Sequence, residues 1–408
     1  MAIIIIFSGS FCNEEPVIQE VISHTGYNLI TDDEVVAEAS RRSGMDENKI
    51  MRAFSAKTSA FNKFTHEKER SIAFLRLAVA EMIPDDNIAV TCFSGQLIPK
   101  TISHTLRICL IASLKHRIHA ATQDQGLSEK EAAKLVQRRE EDCSVWINSL
   151  YGKSDPWDAA LYDIVIPADK MTPAEAVTLI ADNAAKEVVK PTESSRQALE
   201  DFRLAARTEV ALAREGHDVD VSAKNGSITL TINKHVLMLS RLQEELRAIA
   251  ENVPGVKSVE TKVGKDFHKS DIYRKYDFEM PSKVLLVDDE REFVQTLSER
   301  LMMRDMGSAV AYDGESALNL IKEDQPDVII VDLKMPGIDG LEVLRKVKEM
   351  RPEIEVIILT GHGNEEDRQR CMELGAFAYL QKPLDINVLS ETIRKANEKI
   401  KQTKEPKD

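Results

Sequence analysis

Val284-Leu285-Leu286-Val287-Asp288-Asp289-Glu290 and Val328-Ile329-Ile330-Val331-Asp332 share one plan, four apolar residues followed by carboxylates. A short apolar run without polar alternation reads as a strand buried on both faces. Two more such runs follow in order: Val356–Leu359 leads to Thr360, and Ala376–Leu380 ends near Lys382-Pro383. Strands alternating with helical stretches imply a parallel sheet, and in an open parallel sheet the C-terminal strand ends converge on one crevice. Asp288, Asp289, Asp332, Thr360 and Lys382 should therefore meet in space.

Three carboxylates at one place repel each other and invite a hard, oxygen-seeking cation. Mg²⁺ suits, because it accepts a few carboxylates and keeps several waters. A hydroxyl at Thr360 and an ammonium at Lys382 are the groups that stabilise charge on a transferring phosphoryl group.

Residues 283–400 resemble the response-regulator receiver family through Val287-Asp288-Asp289-Glu290, Asp332-Leu333-Lys334-Met335-Pro336-Gly337-Ile338-Asp339-Gly340, Leu359-Thr360-Gly361 and Lys382-Pro383. The resemblance implies a flavodoxin-like (βα)5 fold and a phosphoacceptor at Asp332. It implies Mg²⁺ held by Asp289, Asp332 and the backbone carbonyl of Lys334, with Asp288 assisting through water. Thr360 and Tyr379 match the pair that rearranges on phosphorylation, and the Lys382–Pro383 peptide is expected to be cis. The implied partner is a sensor histidine kinase or a phosphotransfer protein. A dimer through the receiver is a candidate assembly, and the signalling face is expected around Tyr379 and Asp367–Leu374.

The whole chain sets wider bounds. At 408 residues it is too long for one core, and about two to four domains are expected. No apolar run is long enough to span a bilayer. Ala2–Phe7 has no basic flank and runs into Ser8-Gly9-Ser10, so it reads as a first buried strand and not a signal peptide. Five cysteines stand singly, which fits a reducing cytoplasm. A net charge of −14 argues against nucleic-acid binding, since a phosphate backbone demands a basic face.

The first domain, residues 1–185, alternates strands (Ile3–Phe7, Ala89–Phe93, Leu106–Ala112, Ile164–Ile166) with helices such as Glu67–Met82 and Glu129–Leu150. Ser8-Gly9-Ser10 between a strand and a helix places backbone N–H groups where a phosphate could sit. A working phosphate loop needs more glycines and a lysine; here the chain continues Phe11-Cys12-Asn13-Glu14-Glu15-Pro16. Gly26–Glu34, Val90–Gly95, Leu106–Arg117, Tyr151–Trp157, Tyr162–Ile166 and Met171–Ala176 together resemble the cytidylate-kinase-like family, a P-loop-kinase fold. The resemblance makes ATP or another nucleotide a candidate ligand. It departs at Gly95-Gln96, where the family carries Gly-Arg, and at Val145, where a second lid arginine is expected. Arg117, Arg138 and Arg139 remain either phosphate contacts or solvated helix charges.

Lys186–Ser195 reads as a linker into a helix beginning near Arg196. Val219–Ala223 and Ile228–Ile232 flank Asn225-Gly226, a hairpin signal, because both central turn positions need positive φ. A helix over Leu239–Glu251 and a last strand within Val253–Val263 complete a small αβ module, residues 196–264. It resembles the BON family, and either packs as a spacer or contacts protein partners. Residues 265–282 read as a linker, and Gln402–Asp408 as a frayed tail.

The chain therefore reads as a multidomain α/β phosphorelay protein, a phospho-accepting regulator more than an enzyme. Its first domain is either a retired kinase fold that senses nucleotide or binds protein, or an active nucleoside monophosphate kinase regulated by the receiver.

Overall fold

The computed structural model describes residues 2–57, 59–84, 87–236, 238–265, 267, 283–302, 304, 306–361 and 363–404. They form two compact units. One takes residues up to 57 and from 67 to 267, and the other takes residues 59–66 and 283–404.

The first unit is built on a parallel sheet of β1 (Ile3–Ser8), β2 (Asn28–Ile30), β3 (Ile88–Thr91), β4 (Thr105–Ile111) and β5 (Ile164–Pro167), in the order β2-β3-β1-β4-β5. β1 is central, and Ile3, Ile4, Ile5 and Ile6 are all buried because helices cover both faces. The expected strand Ala89–Phe93 stops at Thr91, since Cys92 turns at φ 57 into the short helix Cys92–Gly95. Helices start where capping boxes satisfy free N–H groups, at Thr31 with Glu34, Ser128 with Glu131 and Thr172 with Glu175.

The same unit holds a three-stranded sheet of β6 (Asp220–Lys224), β7 (Ser227–Ile232) and β8 (Ser258–Val263). β6 and β7 pair antiparallel about Asn225 (φ 53) and Gly226 (φ 84), the two left-handed positions that the turn sequence requires. β8 adds in parallel to β7, and the helix Leu239–Glu251 supplies Leu242, Leu246 and Ala250 to the core beneath.

Lys186–Ser195 is packed structure, not a free linker. Val189 is buried, and the helix Glu193–Arg214 begins earlier than expected, capped by Thr192. Ser195 Oγ lies 2.6 Å from His104 Nδ1 in the interior. That helix serves two cores: Leu199, Phe202, Ala206, Val210 and Ala213 belong to the cluster around β1 and β3, while Leu204 and Leu212 belong to the cluster under β6–β8. Arg203 caps the C-terminal end of Glu67–Met82, donating to the carbonyls of Ala80 (3.2 Å) and Ile83 (2.6 Å).

The second unit carries a parallel sheet of β9 (Val284–Val287), β10 (Ser308–Ala311), β11 (Val328–Val331), β12 (Glu355–Thr360) and β13 (Ala378–Gln381), in the order β10-β9-β11-β12-β13. This is the expected five-stranded flavodoxin-like arrangement. The expected linker 265–282 lies outside the described residues, apart from Lys265 and Phe267. At the tail, the helix Ile386–Lys404 continues through Gln402, and the last four residues lie outside the described set.

Candidate functional site

The strand ends of the second unit bring Asp288, Asp332 and Lys382 together. Asp288 follows β9 and Asp332 follows β11, and the two strands run side by side with Val287 opposite Val331. Both carboxylates are buried, at 3% and 7% exposure, whereas Asp289 is exposed. Lys382 enters from beyond β13, fixed by its N–H donating 2.9 Å to the Thr360 carbonyl. Its ammonium stands 2.7 Å from Asp288 Oδ2, 3.5 Å from Asp332 Oδ1 and 3.2 Å from Glu290 Oε1. The same ammonium lies 4.2 Å from the centre of the Phe293 ring.

These charges set the protonation. Burial pushes the Asp332 carboxyl above its ordinary value, and the Lys382 ammonium pulls against that rise. Burial works against the Lys382 charge, but Asp288 and Asp332 outweigh it and hold the ammonium above its usual range. Asp332 Oδ2 accepts the Lys334 N–H at 2.9 Å, which fixes the loop beyond β11. Gly340 stands against that loop. A Cβ there would lie 2.1 Å from the Asp332 carbonyl oxygen, so only glycine permits the approach.

Thr360 is the buried last residue of β12, at 1% exposure. Tyr379 is half-buried on β13, and burial raises its phenol. Its hydroxyl lies against Gly363, and the Lys382–Pro383 peptide is cis as expected. Gly363 and Phe293 escaped the sequence reading. Neither carries polar chemistry, so only packing identifies them.

The groups expected to hold a cation, Asp288, Asp289, Asp332 and the Lys334 carbonyl, offer only hard oxygen. Among the described residues no three histidine, cysteine or acidic side chains are gathered closely enough to hold a metal by themselves. That composition fits Mg²⁺, which completes its shell with water.

In the first unit, Ser8, Gly9 and Ser10 follow β1 as expected, but their surroundings are already satisfied. Arg117 is buried and turned inward. Its Nε donates 2.9 Å to the Ser10 carbonyl, its Nη2 lies 3.4 Å from Ser10 Oγ, and its Nη1 lies 2.5 Å from Glu140 Oε1. The Trp157 indole N–H donates 3.0 Å to the same Glu140 oxygen. Gly9 is tightly enclosed, since a Cβ there would come 2.7 Å from Ile111 Cδ1. Arg139 lies over the Phe11 ring at 5.2 Å, and Arg138 is exposed on the same helix. Arg117 and Arg139 therefore both border the Ser10–Phe11 stretch, the first paired with Glu140 and the second lying over an aromatic ring.

Two anion positions hold the protein's own carboxylates. Glu14 reaches back to accept the Cys12 N–H at 3.1 Å, at the start of Glu14–Thr25. Asp32 accepts the Phe93 and Ser94 N–H groups at 3.1 and 2.8 Å, beyond β3, and burial pushes its carboxyl up.

Comparison with known proteins finds a match within each unit. Residues 284–394 match the family model described as the response regulator receiver domain. Sporulation initiation phosphotransferase F of Bacillus subtilis (strain 168) is 34% identical over 116 residues, which are 28% of this chain and 94% of that protein. The chain belongs to the response regulator receiver family. A second relative, response regulator MprA of Mycolicibacterium vanbaalenii, is 34% identical over 115 residues, but the chain spans only 50% of its length. A solved receiver domain protein from Clostridium thermocellum is 35% identical, covering 30% of this chain and 98% of that one with a TM-score of 0.29. Ahead of the receiver, residues 8–170 match the cytidylate kinase-like family. Among the described residues no helix is long and apolar enough to cross a membrane.

Proposed function

We propose that this chain is a phosphorelay protein whose receiver takes a phosphoryl group on Asp332 from a histidine kinase or phosphotransfer protein. The observation that carries the reading is one ammonium, Lys382, standing between two buried carboxylates at adjacent strand ends. A carboxylate oxygen of Asp332 attacks phosphorus, the bond from phosphorus to the donor nitrogen breaks, and the electron pair leaves with that nitrogen. Lys382 supplies positive charge beside the acceptor, and Thr360 offers a hydroxyl at the neighbouring strand end. Mg²⁺ held by Asp289, Asp332 and the Lys334 carbonyl, with Asp288 behind it, would offset the charge of the incoming phosphoryl group. Tyr379 and Thr360 are the pair assigned to relay the change.

The cytidylate-kinase-like region is read as a nucleotide-sensing or protein-binding domain without turnover. Its arginine at position 117 is committed to Glu140 and Ser10, and Glu14 occupies the Cys12 N–H at the start of the following helix. A cation neutralised by its own protein is lost to a transferring phosphoryl group. The family match over 8–170 favours a second reading, an active nucleoside monophosphate kinase under receiver control. The BON-like module shares its first helix with the kinase-like core and is assigned a packing role.

One experiment separates these readings. The purified chain is incubated with Mg²⁺ and acetyl phosphate and weighed intact, beside Asp332→Ala, and both are assayed with ATP and each nucleoside monophosphate. Mass gain that vanishes in Asp332→Ala, without nucleotide turnover, is the expected result. No mass gain removes the phosphoacceptor assignment, and turnover removes the retired-kinase assignment.

A further inference from the structure

The compact unit that contains the receiver also contains Ser59–His66, a stretch more than two hundred positions earlier in the chain. It comprises a turn and the single helical turn Asn62–Thr65, closed by His66 in the left-handed conformation at φ 46. A four-residue helix has no stability of its own in water, so its order comes from its surroundings. Phe61 is wholly buried, in one cluster with Leu285, Leu318, Ile321 and Val347.

Around Phe61 lies a buried ion pair. Lys283 Nζ stands 3.1 Å from Asp324 Oδ1, with the side chains 3% and 8% exposed. A buried pair is tolerable only when its remaining valences are met. Ser59 supplies one, its hydroxyl donating to Asp324 Oδ2. The Phe61 ring supplies another, with its centre 5.7 Å from the Lys283 ammonium. Inside the segment, the Phe61 N–H donates 3.1 Å to Ser59 Oγ, and Thr65 Oγ1 donates 3.2 Å to the Phe61 carbonyl.

Lys283 leads into β9, whereas Asp288 follows its last residue. The docked segment and the acceptor site therefore lie at opposite ends of that strand.

We propose that Ser59–His66 is an intramolecular docking element of the receiver, with Phe61 as its anchor and the Lys283–Asp324 pair as its seat. The partner of this receiver surface is thus a segment of the same chain. It leaves the sequence between Arg52–Phe54 and Glu67–Met82, two elements of the first unit. The segment thus belongs to the receiver's compact unit, although its neighbours in sequence belong to the first. The seat is remote from Asp332, so docking leaves the acceptor open to a phosphodonor.

Amide hydrogen exchange on the full chain tests this, comparing wild type, Phe61→Ser and Phe61→Leu. In the wild type, the Thr65 and His66 amides, bonded to the Phe61 and Asn62 carbonyls, should exchange well below the free-chain rate. Phe61→Ser should speed exchange at least tenfold (about 1.4 kcal/mol of opening) across 59–66, and also raise it in 283–286 and 318–324. Phe61→Leu should restore most protection, and all three should take up phosphate on Asp332 alike. Free-chain exchange of 59–66 in the wild type overturns the proposal, a result that needs no variant to fold. So does a Phe61→Ser protein whose exchange in 283–286 and 318–324 is unchanged.

Discussion

The hydroxyl of Tyr379 occupies the space that a side chain on Gly363 would need. A Cβ built on Gly363 would stand 1.6 Å from that oxygen and 2.9 Å from Thr360 Cγ2. The oxygen is buried and makes no hydrogen bond to a described residue. A residue without a side chain thus leaves room for the tyrosine hydroxyl near the Thr360 methyl group.

Gly363→Ala should displace the ring and destabilise the receiver by about 1–3 kcal/mol, the usual cost of overpacking. Tyr379→Phe removes the contested oxygen, and alone it should be nearly neutral, because the lost hydroxyl has no partner among the described residues. The double variant should therefore recover much of the loss. Denaturant melts of the four proteins form the cycle, and additive losses would show that the two positions do not compete.

Asp332 carries a pH signature. Its carboxyl is raised above the ordinary 3.8 in the folded state, by burial first. The folded protein then holds that proton more tightly than the unfolded chain does. Stability is lost as pH rises from 3.8 through the raised value, and stays lost above it. Asp332→Asn cannot ionise, so at neutral pH it should be the more stable protein. Thermal melts without Mg²⁺ should show the two curves meeting at low pH and separating as pH rises. A gap that widens toward acid would reverse the sign and refute the argument.

Glu140 is the other test of charge. The Arg117 side chain is only 3% exposed, and Glu140 is its acidic partner. Glu140→Ala leaves a buried cation and an indole N–H short of an acceptor, and should cost about 2–4 kcal/mol. Were Arg117 instead poised for phosphate, removing the competing carboxylate would chiefly raise affinity for ATP. Calorimetric titration of ATP into the variant, beside its melting curve, separates the two outcomes.

The receiver was legible because its chemistry sits at strand ends. An apolar quartet followed by a carboxylate carries both the strand and the site, as at Val331-Asp332. β2 and β10 left weaker marks: Asn28–Ile30 is three residues long, and Ser308–Ala311 lacks bulky β-branched side chains apart from Val310. The segment 59–66 left none, because its order depends on Lys283 and Asp324 far along the chain. Arg117 shows the converse limit. A basic residue after a strand is consistent with phosphate binding, and only the position of Glu140 shows that its charge is already matched.

The helix Glu193–Arg214 yields the last prediction. Sequence periodicity marked its apolar positions but could not tell that they divide between two cores. Phe202, 5% exposed, faces the cluster around β1 and β3, while Leu204 faces the one under β6–β8. Arg76 fastens the same face, with Nη1 2.5 Å from both carboxylate oxygens of Glu209. If one helix supports both cores, they cannot melt separately. Phe202→Ala should cost about 3–5 kcal/mol and lower the melting of the kinase-like sheet and of the β6–β8 module together. Hydrogen exchange read separately at Ile5 and at Leu230 supplies the two local reporters. Loss of protection at Ile5 with Leu230 unchanged would mean that the module folds on its own, and that the helix only adjoins it.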